Sequence, residues 1–171
     1  MKNIFLKKTS LTFTVLLVFA VGCQKDFLDR PKKGELSYDT FFQTADHAVW
    51  SVNAIYQQFR EWDCIAFPWI GATDIMSDDA NKGSAPNDAL YMLELDEFSL
   101  NSAHTVPAQL WKGYFQAIGR ANLAIENIPK IDMDATLKAR LIGEARTLRA
   151  YSYLLLVQWF GDLPIITRQL S

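Results

Sequence analysis

Cysteine, histidine and charge of one sign are all scarce in this chain of 171 residues. Two cysteines are too few for a fold stapled by disulfides, and a formal net charge of -2 gives no electrostatic basis for binding nucleic acid. The composition is 50% hydrophobic and 21% charged, which excludes disordered and collagen-like chains. The sequence therefore predicts about one folded domain of ordinary globular composition.

Motifs of catalysis are missing as well. The sequence contains no glycine-rich phosphate loop, no G-x-S-x-G elbow and no zinc-binding spacing of cysteine or histidine. The two histidines, His47 and His104, are interpreted as surface or capping residues. The acidic stretch at Asp78 resembles the start of a calcium loop, but Ala80 and Ala89 occupy positions that need oxygen ligands. We therefore expect no enzyme activity, no cofactor and no metal.

The apolar run Leu11–Val21 is shorter than the roughly 20 residues that a membrane-spanning helix needs. It follows three lysines and precedes Gly22 and Cys23, which is typical of a secretory signal. The ending Ala20–Cys23 resembles the bacterial lipoprotein box, in which the cysteine is lipidated after cleavage in front of it. The alternative is a buried cysteine after an ordinary apolar helix. We predict a signal peptide over residues 1–22, a lipidated Cys23, a tether over residues 23–37 and a domain over residues 38–171.

Cys64 would be the one free thiol of the mature chain. It has neither a C-x-x-C neighbour nor a nearby histidine in the sequence, so we expect it to be buried and inert.

Three segments have the apolar periodicity of α-helices. In residues 45–59 the apolar side chains recur every three or four positions, and Thr44 is suited to cap the N-terminus. A second helix is predicted to begin at Thr105 or Val106 and to end before Pro129.

The third helix is predicted between a cap at Asp134 and a stop at Gly161. After Ala150 it is apolar on two faces, which predicts burial from two sides. The extended run Leu163–Ile166 follows, and no later residues could cover the second face. We therefore expect the N-terminal part of a longer protein, or a partner that supplies the rest.

Residues 61–97 differ in charge and composition from the segments around them. They carry nine acidic residues and a single basic one, with prolines and glycines that break regular structure, so we predict a long, partly ordered loop region. Residues 98–171 have an excess of basic residues. Two arginines of the third helix are therefore expected to pair with acids of the loop, the alternative being a solvated basic face. The candidates for these ion pairs are Asp74, Asp78, Arg146 and Arg149.

Six short segments give the chain a recognisable order of motifs: Cys23–Asp29, Thr40–Phe42, Thr73–Asp79, Trp111–Asn122, Gly143–Tyr151 and Phe160–Pro164. The most specific is an Arg-x-x-Arg-Ala-Tyr helix that runs into Phe-Gly-Asp-x-Pro. In these motifs the chain resembles the SusD/RagB family of nutrient-binding outer-membrane lipoproteins of Bacteroidetes.

The resemblance implies an all-α fold of tetratricopeptide-like helical hairpins, with Trp111–Ile128 and Ala135–Phe160 as one hairpin. It also implies a lipid-anchored protein of the outer membrane that faces the cell exterior. Such a protein captures oligosaccharides or other nutrients and delivers them to a SusC-like TonB-dependent transporter without chemistry. A helical-repeat scaffold lipoprotein that binds only protein partners is the alternative.

Glycan capture needs flat aromatic faces and polar groups that pair with hydroxyls. Suitable side chains in or beside the acidic region are Trp62, Trp69, Asn81, Asn87 and Tyr91. The two tryptophans could instead belong to the core. Starch-binding members of the family carry aromatics just after the acidic motif, whereas residues 80–83 have none, which argues against starch.

Overall fold

The structure is a computed structural model, and it describes residues 41–169. The predicted signal peptide, the predicted lipidation of Cys23 and the predicted tether lie outside the described residues. Within residues 41–169 the regular structure is entirely helical, which confirms the all-α class. None of the helices described is long and apolar enough to cross a membrane.

The described helices follow one another along the chain as α1 (Ala45–Gln58), α2 (Trp62–Ile65), α3 (Phe67–Ile70), a π-helical turn (Gly71–Ile75), α4 (Leu90–Asp96), α5 (Thr105–Asn127), a 3₁₀ turn (Ile128–Lys130) and α6 (Ala135–Phe160).

Helix α1 forms as its apolar periodicity predicts. The Thr44 hydroxyl accepts a hydrogen bond from the His47 N–H at 3.3 Å, so the predicted N-cap is confirmed. The buried stripe of this helix includes Ala48, Val52 and Ile55, none more than 1% exposed.

Helices α5 and α6 pack against each other as an antiparallel hairpin. Trp111 near the start of α5 contacts Phe160 at the end of α6, and Asn122 farther along α5 contacts Arg149 earlier in α6. The predicted ends of α6 are confirmed. The Asp134 carboxylate accepts from the Leu137 N–H at 2.8 Å, and Gly161 leaves the helix with a φ of 71°.

Two hydrophobic clusters hold the helices together. One joins α1 to the end of α5 and the first half of α6, and its members are small or aliphatic: Ala48, Val52, Ile55, Ala121, Ala124, Ile128, Ile131, Leu141 and Ala145. The other joins the segment after α1 to the first half of α5 and the end of α6. It consists of Cys64, Ile75, Met92, Leu95, Val106, Leu110, Tyr114, Ile118, Leu155 and Leu156.

The prediction of a loop region over residues 61–97 is wrong for most of that stretch. Helices α2, α3 and α4 and the π-helical turn occupy it, and its longest non-helical part runs from Met76 to Ala89. Pro68 does not break α3, because it lies in the first turn, where its missing N–H is not needed. Cys64, Ile75, Met92 and Leu95 bury their side chains in the core, so packing stabilises helices too short to persist alone. We call residues 61–98 the short-helix segment.

Of the two apolar faces expected to be buried at the end of α6, only one is buried within the described residues. Ser152, Leu155 and Leu156 are buried on the face towards α5. On the other face Leu154 is 54% exposed and Val157 is 47% exposed. This second apolar face therefore lies open in the structure.

Candidate functional site

An exposed aromatic pair lies at the start of the short-helix segment. The side chain of Trp62 is 51% exposed and that of Phe67 is 47% exposed, and their ring centroids are 5.3 Å apart. Ile65 and Ile70 on the same two short helices are 56% and 41% exposed. The four side chains give α2 and α3 an apolar outer surface that other molecules can reach.

Helix α2 is attached to α5 through its opposite face. A Cβ atom placed on Gly113 would lie 2.7 Å from the Cys64 sulfur, so the glycine permits the close approach of the two helices. The Tyr114 hydroxyl donates to the Cys64 carbonyl at 3.1 Å, and the Lys112 ammonium contacts the Asp63 carboxylate at 2.8 Å. These contacts hold α2 against α5.

The Cys64 thiol is 2% exposed, so the expectation of a buried thiol is confirmed. Burial raises the pKa of Cys64 to about 11, and it raises the pKa of Tyr114 as well. Because a thiol must ionise to act as a nucleophile, Cys64 is unreactive near neutral pH.

Trp69 has a different environment from Trp62. It packs edge-on against Trp159 at a centroid distance of 5.2 Å, and Trp159 in turn lies 5.5 Å from Tyr114. Trp69 is partly buried against the core cluster that contains Cys64. Of the two candidate tryptophans, Trp62 therefore offers the larger open surface.

The two candidate asparagines lie in the non-helical part of the short-helix segment. Asn81 and Asn87 are both exposed. Between them, the Lys82 N–H donates to the Asp96 carboxylate at 3.2 Å and the Lys82 ammonium donates to the Ala85 carbonyl at 2.7 Å. The loop is thus tied to α4 and presents amide groups to solvent.

Tyr91 is 38% exposed on α4, and its backbone is fixed by His104. The His104 Nδ1 atom accepts from the Val106 N–H at 3.2 Å, so Nε2 carries the hydrogen and donates to the Tyr91 carbonyl at 2.8 Å. His104 is the N-cap of α5, which confirms the interpretation of this histidine as a capping residue.

The two tryptophan candidates for glycan contact have different ring partners. Within residues 41–169 no ring contact joins Trp62, Trp69 and Tyr91; the first two pack on Phe67 and Trp159 instead. Phe67 is the residue that the sequence reasoning missed. Its neighbour Pro68 suggested a break, and no periodic pattern indicates that α2 and α3 place Phe67 beside Trp62.

The proposed ion pairs between Asp74 or Asp78 and the two arginines are not formed within the described residues. Asp74 accepts from the neighbouring Thr73 hydroxyl at 2.8 Å. Arg149 donates to the Asn122 side chain at 2.8 Å and to the Thr167 carbonyl at 3.1 Å. The ion pairs that residues 41–169 do form are Asp63–Lys112 and Glu144–Arg140, and the His104 Nε2 atom lies 3.6 Å from the Glu94 carboxylate.

Residues 41–169 contain no group of three or more histidine, cysteine, aspartate or glutamate side chains arranged to hold a metal ion. The accessible groups of the short-helix segment are aromatic faces, amides and carboxylates.

The structure is therefore that of an all-α protein, in which a long helical hairpin supports a short-helix segment with exposed aromatic and amide groups. A family model of SusD-like proteins, described as "Starch-binding associating with outer membrane", matches residues 26–170. The chain belongs to this SusD-like family.

Curated relatives agree with that assignment. The chain is 27% identical over 164 residues to SusD-like protein P2 of Formosa agariphila, which covers 94% of this chain and 31% of the relative. It is 26% identical to SusD-like protein P38 of the same organism, with 95% and 31% covered. A SusD-like protein of Bacteroides ovatus is 26% identical, with 96% and 29% covered. The chain thus spans about 31% of the length of the first relatives it matches. No solved structure is significantly similar to it.

Proposed function

We propose that this chain belongs to a lipoprotein of the outer-membrane surface that binds glycans or other nutrients and has no catalytic activity. The match of residues 26–170 to a family described as starch-binding and associated with the outer membrane carries this proposal. Cys23 would hold the lipid anchor. Captured oligosaccharide would pass to a SusC-like TonB-dependent transporter.

The exposed aromatic pair supports a role in holding a sugar ring. Trp62 and Phe67 are each about half exposed. Stacking of a pyranose on such rings buries its C–H faces, while its hydroxyls need hydrogen-bonding partners. Asn81, Asn87 and the Tyr91 hydroxyl are the candidates for those partners. Trp62 is the preferred contact because Trp69 is engaged with Trp159.

Calorimetric titration of the complete mature protein with soluble oligosaccharides from α-glucans, β-glucans, xylans and mannans tests the proposal. We expect one class to bind, and Trp62→Ala to weaken that binding by about tenfold, which corresponds to about 1.4 kcal/mol. Trp50→Ala is the matched control, because Trp50 is also 51% exposed but lies on α1. Equal losses in both variants would exclude Trp62 as a specific contact.

Two further outcomes separate this function from its rivals. If no oligosaccharide binds while other proteins copurify, the scaffold function is favoured and capture of glycans is wrong. If the purified protein cleaves a glycan, the absence of catalysis is wrong. Copurification of a large β-barrel protein with the tagged lipoprotein is the result expected from a transporter partner.

A further inference from the structure

The helical run that carries Phe67 continues from α3 into the π-helical turn. Ile70 and Gly71 both have right-handed helical backbone angles, and their N–H groups donate to the carbonyls of Ala66 and Phe67. The Met76 N–H closes the run by donating to the Gly71 carbonyl at 3.2 Å. Residues 67–75 therefore form one helical run, and the relative positions of their side chains follow from helix geometry.

Phe67, Ile70 and Asp74 lie on one exposed face of this run. They are spaced three and four residues apart, which places side chains on the same side of a helix. Phe67 and Ile70 are 47% and 41% exposed, and Asp74 is exposed as well. At about 1.5 Å per residue, Asp74 lies roughly 10 Å along the run from Phe67. A ligand that stacks on Phe67 and extends along this face therefore reaches the Asp74 carboxylate.

The charge at the Asp74 end of this face is negative. From residue 61 to residue 81 the sequence has five acidic residues and no basic one. Asp78 and Asp79 follow soon after the helical run, and both are exposed. Within residues 41–169 no ion pair reaches Asp74, Asp78 or Asp79. The next base along the chain is Lys82, whose ammonium donates to the Ala85 carbonyl at 2.7 Å and not to a carboxylate.

The other side of the aromatic pair, at Trp62, has balanced charges. Glu61 and Asp63 flank this tryptophan in the sequence. The Lys112 ammonium contacts the Asp63 carboxylate at 2.8 Å, and Arg60, which is exposed, precedes Trp62 by two residues. Each acid beside the tryptophan thus has a base close to it in space or in sequence. The excess of negative charge therefore lies at the far end of the pair, beyond the phenylalanine.

Carboxylates at this distance distinguish glycans by the sign of their charge. The Debye length in physiological salt is about 8 Å, so Asp74 acts on groups bound beside Phe67 and Ile70. A uronate or sulfate group on this face is repelled, and a protonated amino sugar is attracted. The hydroxyls of an uncharged sugar can donate hydrogen bonds to a carboxylate. The face therefore disfavours one chemical class of glycan, whatever its linkage.

We propose that the aromatic pair selects glycans that are uncharged or contain amino sugars over glycans rich in uronic acid or sulfate, and that Asp74 is a specificity-determining residue. This inference rests on the proposed function, because it names the class of sugar that the same surface holds. The carboxylates act by repulsion, and no ligand is assigned to them. The experiments below separate the charge of the surface from the capture of a glycan.

Charged thiol reagents measure the electrostatic potential of the face without any glycan. Ile70→Cys places a thiol between Phe67 and Asp74, and Cys64 is only 2% exposed. The reaction rates of a cationic and an anionic methanethiosulfonate are compared in the complete mature protein, with the parent protein as background. Side chains four residues apart on a helix have Cβ atoms about 5–6 Å apart. Asp74→Asn should therefore lower the ratio of the cationic to the anionic rate about twofold.

The matched control for Asp74→Asn is Asp132→Asn. Asp132 is also an exposed acid, but it lies in the connection between α5 and α6. Its replacement should leave the ratio of the two rates unchanged. A ratio that Asp74→Asn does not lower, or that both variants lower equally, would overturn the proposal. If Ile70→Cys does not fold, Phe67→Cys gives the same comparison from the same face.

Calorimetric titration then tests the selectivity itself. The neutral oligosaccharides named above are compared with oligogalacturonate, oligomannuronate and sulfated galactan oligosaccharides, in a buffer of low ionic strength that contains a chelator. We expect the tightest ligand to be neutral, and Asp74→Asn to strengthen the binding of the anionic set about twofold. If an anionic oligosaccharide is the tightest ligand, the selectivity is wrong while glycan capture stands. If none of the oligosaccharides binds, the proposed function fails and the selectivity fails with it.

Discussion

Helices α1, α5 and α6, which we call the frame, differ from the short-helix segment in helix length and in how they are stabilised. In the frame, α1, α5 and α6 are 14, 23 and 26 residues long and meet through alanine, valine and isoleucine side chains. In the short-helix segment, α2 and α3 have four residues each, and Ala89 and Phe98 adopt positive φ values of 45° and 54°. Long helices gain stability from many successive backbone hydrogen bonds, whereas helices of four residues depend on packing against the rest of the fold.

This difference assigns separate tasks to the two regions. All four large apolar side chains that α2 and α3 expose lie on two helices of four residues: Trp62, Ile65, Phe67 and Ile70. Helix α1 exposes Trp50 but buries Val52 and Ile55 in the frame. Binding residues are commonly held on irregular segments by a rigid scaffold. Substitutions in the two regions should therefore differ in how strongly they change stability.

The largest expected contrast is between two isoleucines. Ile55 is fully buried in α1, and Ile65 on α2 is 56% exposed. Ile55→Ala should lower the free energy of unfolding by about 2–5 kcal/mol, since it leaves a cavity in the frame. Ile65→Ala should change it by less than about 0.5 kcal/mol. Urea unfolding followed by circular dichroism measures both, and equal losses would show that the segment is as tightly packed as the frame.

Two glycines of α5 test how the segment is attached. A Cβ atom on Gly113 would meet the Cys64 sulfur at 2.7 Å, whereas one on Gly119 meets nothing within 4 Å. Gly113→Ala should therefore lower the free energy of unfolding by about 1–3 kcal/mol through overpacking. Gly119→Ala should raise it by about 0.5–1 kcal/mol, because alanine favours the helix. Stabilisation by both variants would mean that α2 moves away from α5 without cost.

The pH dependence of stability tests the burial of Cys64, where the two regions meet. Its pKa is raised from 9.0 to about 11 by burial, so between these values the unfolded thiol has lost its proton and the folded thiol keeps it. The unfolded state then binds fewer protons, and stability falls as pH rises above 9.

At pH 10 the thiol's contribution to the loss should be about 1 kcal/mol relative to pH 8. Cys64→Ala should remove that part of the pH dependence and keep the part that burial gives Tyr114, whose pKa the charge of Cys64 raises further in the wild-type protein. Unfolding of both proteins in urea at pH 8 and pH 10 measures the difference. The same pH dependence in both would contradict the assigned pKa.

The frame could be predicted from sequence because its signals are local. Thr44, Asp134 and Gly161 mark helix ends through their own hydrogen bonds or backbone conformation, and each lies where the structure ends a helix. Their neighbours follow a helical period of three and four residues. The antiparallel hairpin of α5 and α6 then follows from a short connection between two long amphipathic helices.

The short-helix segment could not be predicted in the same way. A helix of four residues is too short to show a period, and α2 exists because Cys64 packs on Gly113. The sequence also gives no reason to distinguish Trp62 from Trp69. The structure distinguishes them, because Trp69 packs against Trp159. Net charge suggested an acidic partner for Arg149, whereas the arginine binds a side-chain amide and a backbone carbonyl.

The smallest expected effect concerns the backbone at the start of α4. Ala89 has a φ of 45°, a left-handed conformation that costs a residue with a Cβ atom about 1–2 kcal/mol. Ala89→Gly removes this cost but increases the entropy of the unfolded chain, so it should stabilise by a few tenths to about 1 kcal/mol. The matched control is Ala108→Gly in the first turns of α5, where alanine is exposed and helical and the same change should destabilise by about 1 kcal/mol. Opposite signs in thermal unfolding would show that the short-helix segment holds its backbone in a conformation that its sequence does not favour. Destabilisation by both variants would mean that Ala89 is not strained and that the two regions do not differ in this respect.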